Sequence, residues 1–134
     1  VLMELVELAS KRLADFDAEI FEIHHKHKRD APSGTARSLG EAVAAGRGEL
    51  QEVVGRSGMS EPRAKDELGY AAMRGGDVSG DHTVFFFGDN ERIELTHRST
   101  SATIFSAGAV RAAHWLVGKA PGKYGMRDVL MGDV

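Results

Sequence analysis

Residues 82–88 read His-Thr-Val-Phe-Phe-Phe-Gly. The end of this run is apolar on both faces of an extended chain, so it demands a strand covered on two sides. It is central in a sheet or buried at an interface. Two further strands flank it. Leu68–Arg74 ends at Gly75-Gly76, and Arg92–Ser99 alternates with Ile93 and Leu95 inward. The link Gly88-Asp89-Asn90-Glu91 is a hairpin signal. A fourth strand, Ala18–His25, places Phe21, Ile23 and His25 on one face and Ile20, Glu22 and His24 on the other.

Helices accompany these strands. Residues 1–17 are apolar at Leu2, Leu5, Val6, Leu8 and Leu13, an amphipathic helix that begins without a capping residue. Ser33 is an N-cap for a helix that stops near Gly46 or Gly48. Ser101–Gly118 is a second long helix with Phe105, Ala109, Ala112 and Leu116 on one stripe. A short helix is expected at Met126–Leu130. Residues 51–66 show no sustained period and read as an arm ordered by a partner. The expected fold is therefore α+β: a mixed four-stranded sheet with helices on one face. The apolar Val84–Phe87 run calls for a cover on the other face, most simply a second copy of the same sheet.

At 134 residues, 42% of them hydrophobic, the chain fits one domain. Its 16 glycines favour a turn-rich layout over a helical bundle. With a net charge of −3 it lacks the broad basic surface of a nonspecific nucleic-acid binder. No apolar run approaches the roughly 20 residues of a membrane span, and the start lacks a signal-peptide pattern. The absence of cysteine removes disulfides, thiolate metal sites and cysteine nucleophiles, and is compatible with a reducing cytoplasm.

Positions 24–29 read His-His-Lys-His-Lys-Arg, followed by Asp-Ala-Pro-Ser-Gly-Thr. His24 ends a strand, and Lys28 lies four residues on in the loop. Imidazole exchanges protons near neutral pH, and the ammonium is a fixed charge that holds a carboxylate or donates a proton. Ser33-Gly34-Thr35 then opens a helix, whose free amides and dipole favour an anion. Gly34 permits close approach to the backbone, and the Thr35 hydroxyl adds a donor. The segment reads as a seat for a small acid whose chemistry involves a proton. Three alternatives stay open: a solvated, idle histidine cluster; a Ser-Gly-Thr stretch that only caps its helix; and a metal site. The last is awkward, because His24 and His25 point to opposite faces of a regular strand. His82, His97 and His114 are scattered and read as structural, and Arg74-Gly75-Gly76-Asp77 reads as a turn.

These residues resemble the dihydrodipicolinate reductases, also called 4-hydroxy-tetrahydrodipicolinate reductases, of lysine and diaminopimelate biosynthesis. The signature is Glu19–Ala36, and Arg74–Ser99 and Gly108–Leu130 match in the same order. The resemblance implies reduction of a cyclic unsaturated dicarboxylate with NADPH or NADH in the cytoplasm. It implies His24 as the acid/base residue that protonates the ring and Lys28 as second proton donor and charge partner. His25 would touch the substrate, and Gly34 with Thr35 would bind a carboxylate. It also implies a homotetramer built on the sheet face, with the 51–66 arm reaching across subunits. No GxGxxG-type loop follows a strand here, so the likeness is to the C-terminal domain alone, without its dinucleotide-binding partner. Residues 104–134 would pack against that partner. The fragment alone is expected to bind substrate without turning it over. Family members often carry an Arg just before the last long helix, where Ala102 stands. Two rival readings are a pure homo-oligomerisation module and a His-rich metal-binding domain.

Overall fold

The computed structural model describes residues 1–131. Contacts divide it into two units, residues 1–100 and residues 101 onward. In the first unit five strands, β1 (Asp17–His24), β2 (Gln51–Val54), β3 (Glu67–Arg74), β4 (Gly80–Gly88) and β5 (Glu91–Ser99), form one sheet in the order β2-β3-β1-β4-β5. β1 runs parallel to β3, and β3 parallel to β2, while β4 is antiparallel to both β1 and β5. The sheet is mixed and the class α+β, as the alternation of periods predicts. Its strand count is five, not four. β2 lies inside the stretch read as an arm without sustained period. Its four residues carry apolar side chains only at Val53 and Val54, too short a run for a period to emerge.

Helices α1 (Leu2–Arg12) and α2 (Gly34–Arg47) cover one face. The core between them and the sheet joins Val6, Leu39 and Val43 to Ile20, Leu68, Tyr70, Val84 and Phe86. On β1 and β4 every even-numbered residue from Ala18 to His24 and from Gly80 to Phe86 is buried, the period-2 signature of a sheet packed on that face. On α1 the buried line runs through Val6 and Ser10, with Leu2, Ala9 and Leu13 beside it. Leu5 and Leu8, expected in the stripe, are about half exposed at 47% and 55%. Ser10 takes the buried place because its hydroxyl donates to the Val43 carbonyl at 2.7 Å. A Cβ on Gly46 would lie 2.5 Å from the Glu7 carbonyl oxygen, so glycine sets how closely α2 approaches α1.

Arg47, at the end of α2, donates to the carbonyls of Leu13 and Phe16 at 2.8 and 2.6 Å and to Ser10 Oγ at 2.9 Å. It thereby satisfies carbonyls left open where α1 ends and fixes the entry into β1. On β5, Leu95 packs on the core, but Ile93 is 37% exposed, against expectation. Both share the core face, and Ile93 pairs with Phe86 at the edge of the sheet.

The opposite sheet face carries Phe21, Ile23, Ala71, Met73, Phe85 and Phe87, with no helix of the first unit over it. The Phe85 and Phe87 rings stack with centroids 5.5 Å apart. The β2–β3 loop is tied down at one end of this face. Arg63 donates to Asp17 and Glu19 at 2.8 and 3.0 Å and to the Ala18 and Glu67 carbonyls. Arg56 bridges Glu19 and Glu67, each at 2.8 Å.

The second unit consists of α3 (Thr103–Leu116) and a short α4 (Met126–Met131), close to the expected ranges. Val129 is buried between them, whereas Phe105 and Leu116 of the predicted stripe are exposed. Trp115 stands edge-on to Tyr124 at 5.3 Å, with the Lys119 ammonium 4.3 Å over its ring. Residues 132–134, the end of the segment expected to pack on another domain, lie outside the described residues.

Candidate functional site

At the C-terminal end of β1 the sheet register gathers polar side chains onto the core face. Glu22 lies opposite His82 of β4, and His24 lies opposite Arg74 of β3. Period-2 alternation keeps Glu22 and His24 on one side. There the helix layer opens into the loop 25–33, which is held to the β3–β4 turn by the Lys26 amide donating to the Gly76 carbonyl.

Glu22, His24 and His82 are only 1%, 8% and 4% exposed. Buried charge must be paired, and Glu22 is. Its Oε1 accepts from the Ser33 amide at 3.2 Å and from Arg74 Nη2 at 2.8 Å. Its Oε2 faces His24 Nδ1 at 3.1 Å and His82 Nε2 at 3.7 Å. Burial alone would raise the Glu22 pKa, but the hydrogen bonds from Ser33 and Arg74 and the charge of Arg74 outweigh it and hold the carboxyl below its usual range. Burial also lowers the His24 pKa. Lys28, Arg74 and His25 add to that effect, against the pull of Glu22. His82 is pushed down to about 4, chiefly by burial and then by His24. Both imidazoles are therefore neutral at pH 7.

The start of α2 stands beside them. Ser33 caps α2 with its Oγ accepting from the Ala36 amide at 3.2 Å, and the same oxygen lies 3.1 Å from His82 Nε2. Gly34 and Thr35 are exposed in the first turn, where amides have no intrahelical acceptor. Lys28, the second expected functional residue, is partly buried and donates to Asp30 Oδ1 at 2.9 Å. His25 is partly exposed just past the strand, its ring 6.3 Å from that of His27.

The fold thus brings Lys28, Arg74 and His25 into electrostatic range of His24, next to the start of α2. Reading along the sequence did not find Glu22, Arg74 and His82, and it set His82 aside as structural. The signal that could have found them is cross-strand register, which local pattern does not carry.

Glu22, His24 and His82 each offer one donor atom, all within 4.8 Å of one another. This is the spacing of a three-ligand divalent site. His25 points away from His24 along a regular strand, but His82 of β4 is the imidazole that meets His24. Electrostatics opposes a cation here for another reason: Arg74 already neutralises Glu22, and Lys28 adds a further positive charge.

Residues 1–130 match the family described as "Dihydrodipicolinate reductase, C-terminus". The chain is 56% identical over 132 residues to a 4-hydroxy-tetrahydrodipicolinate reductase of Aquifex aeolicus, covering 97% of the chain and 49% of the relative. It is 53% identical over 132 residues to that of Pseudomonas fluorescens, covering 96% and 49%. A solved structure titled "Dipicolinate bound Dihydrodipicolinate reductase from Paenisporosarcina sp. TG-14" superposes with a TM-score of 0.71 at 25% identity, over 95% of this chain and 49% of that one. The chain spans about half the length of the curated relatives it matches.

Proposed function

We propose, from the premise that the chain belongs to the dihydrodipicolinate reductase C-terminal family, that it is the substrate-binding half of a 4-hydroxy-tetrahydrodipicolinate reductase. Its ligand is a cyclic unsaturated dicarboxylate, the chemistry to which dipicolinate in the superposed relative also belongs. One carboxylate lies on the amides of Gly34 and Thr35 and the Thr35 hydroxyl. The other side of the ring meets Lys28, with His25 alongside. His24 delivers a proton to the ring atom that gains electron density, and Lys28 stabilises the charge as it develops. The observation that carries this reading is the placement of a buried, proton-exchanging imidazole beside a cation and a helix start.

A nicotinamide cofactor, NADPH or NADH, supplies the hydride when bound. Its seat belongs to the portion of the relatives that this chain does not cover. The chain alone binds the dicarboxylate without turnover. Residues 104–131 are assigned to packing against that portion, since Ile104, Phe105, Val110 and Leu116 are all exposed in α3. The bare sheet face and the 51–66 segment are assigned to a homotetramer, and the enzyme to the cytoplasm. None of the described helices is long and apolar enough to cross a membrane.

Calorimetry with pyridine-2,6-dicarboxylate tests the site. Binding should weaken with added salt, and Lys28→Ala should lower affinity at least tenfold. Binding indifferent to both salt and Lys28 would contradict the assignment. In the full-length reductase, His24→Gln should reduce kcat by about 100-fold or more, in line with the loss of a general acid, while KM changes little.

A further inference from the structure

We propose that Glu22 is a positioning residue for His24: its buried carboxylate holds the proton on Nδ1, so that Nε2 is the nitrogen left to exchange a proton with the ligand. The proposal deepens the reading of His24 as proton donor and rests on it.

Hydrogen-bond supply around Glu22 decides which nitrogen of His24 carries the proton. Two donors, the Ser33 amide and Arg74, fix Glu22 Oε1. Oε2 is buried and accepts no hydrogen bond of good geometry from the described residues, and the same holds for His24 Nδ1. These two atoms face each other at 3.1 Å. A buried carboxylate oxygen needs a donor, and two imidazole nitrogens are within reach of it. His82 Nε2 is the farther one, at 3.7 Å, and it is already engaged by Ser33. Whichever of the Ser33 hydroxyl and His82 Nε2 donates in that contact, Nε2 has no proton to spare for Glu22: it either accepts from Ser33 or gives its proton to it. The donor to Oε2 is therefore Nδ1–H of His24.

Gly80 supports the other side of the ring. A Cβ there would stand 3.0 Å from His24 Nε2, on a backbone with φ of 155° that L side chains rarely adopt. Glycine keeps the space around Nε2 open. During reduction the proton leaves Nε2 of the imidazolium for the ring as hydride arrives, and His24 returns to the neutral Nδ1–H form. Glu22 stays ionised throughout, and solvent restores the Nε2 proton. The charged and titratable groups that face His24 are Glu22 and His25 from β1 and its end, Lys28 from the loop, Arg74 from β3 and His82 from β4.

Nitrogen-15 imidazole spectra of the chain at pH 7.5 test this without any turnover. Wild-type His24 should be the Nδ1–H tautomer, and an Nε2–H tautomer would overturn the proposal. Glu22→Gln gives a sharper outcome. Its amide oxygen must take the place of Oε1 to accept from Ser33 and Arg74, which puts the NH2 where Oε2 was. That NH2 donates to Nδ1, so His24 should switch to the Nε2–H tautomer and titrate at lower pH. Glu22→Asp should restore the Nδ1–H form in part. An unswitched tautomer in folded Glu22→Gln overturns the proposal, and if the variant does not fold, the wild-type spectrum decides alone. In the full-length reductase, Glu22→Gln should cut kcat at least tenfold with pyridine-2,6-dicarboxylate affinity held within threefold. A tautomer switch with turnover intact would leave the hold of Glu22 on His24 standing and remove His24 from proton delivery.

Discussion

His24 is kept neutral at pH 7 by burial and by its cationic neighbours, yet its proposed role requires a proton. The proposed dicarboxylate ligand resolves the conflict. Two carboxylates brought beside the imidazole offset Lys28 and Arg74, the cations that help lower the His24 pKa in the free site, and so raise it on binding. Binding of pyridine-2,6-dicarboxylate at pH 7 should therefore take up a proton. Calorimetry in buffers of different ionisation enthalpy would read a fraction of a proton for wild type and none for His24→Gln. His82 makes a different prediction. Its folded pKa of about 4 lies below the ordinary 6.5, so between those values the unfolded chain binds a proton that the folded chain refuses. Stability is then full above pH 6.5 and falls as pH drops towards 4, by about 3 kcal/mol at most for this group. His24, also depressed, acts in the same direction. Glu22, held below its usual range, adds a loss at still lower pH. Urea midpoints measured across pH 7 to 4 should fall steeply, and His82→Asn should flatten the upper part of that curve.

At the scale of elements, what the sequence discloses depends on how far apart in the chain the cooperating residues lie. His24, Lys28 and the Ser33–Thr35 helix start are contiguous, and each is legible from its own chemistry: strand end, charged loop, cap. Glu22, Arg74 and His82 become a site only through pairing of β1 with β3 and β4. Pairing is a tertiary choice that period-2 alternation leaves open. The edge strand β2 was hidden for a related reason. It is four residues long and held by its parallel partner and by Tyr70, whose hydroxyl donates to Glu52 at 3.0 Å. Loop 55–66 likewise owes its order to Arg63 and Arg56, not to a period. Arg63 is 18% exposed in its side chain and bonds to two carboxylates and to carbonyls of β1 and β3, so its removal strips several charge-assisted hydrogen bonds at once. Arg63→Ala should destabilise the chain by about 2 kcal/mol. It should also speed tryptic cleavage at Arg56 and Lys65 well beyond what that global loss predicts, with dicarboxylate affinity unchanged. Cleavage rates that track global stability alone would show that the loop is not held by Arg63.

For the whole molecule, the question is what lies over the second face of the sheet. α1 and α2 bury one face, and the other presents Phe21, Ile23, Met73, Phe85 and Phe87, with Met73 55% exposed. A contiguous apolar surface on a sheet is costly to leave in water, and burying an aromatic side chain returns about 2 kcal/mol or more. The face is self-complementary in kind: aromatic, and flanked by charges of both signs at Glu19, Arg92 and Glu94. Two copies laid face to face cover each other's rings without burying an unpaired charge at the centre, which favours a two-fold interface. Sedimentation equilibrium should find the wild-type chain associated at micromolar concentration. Phe85→Glu with Phe87→Glu should shift it to monomer, because the pair places carboxylates in the centre of the contact. The core-facing partner Phe86 is untouched, so the far-ultraviolet spectrum and the 15N signature of His24 should be retained. An association constant unchanged by both substitutions would mean that assembly uses another surface and that this face is covered by something else.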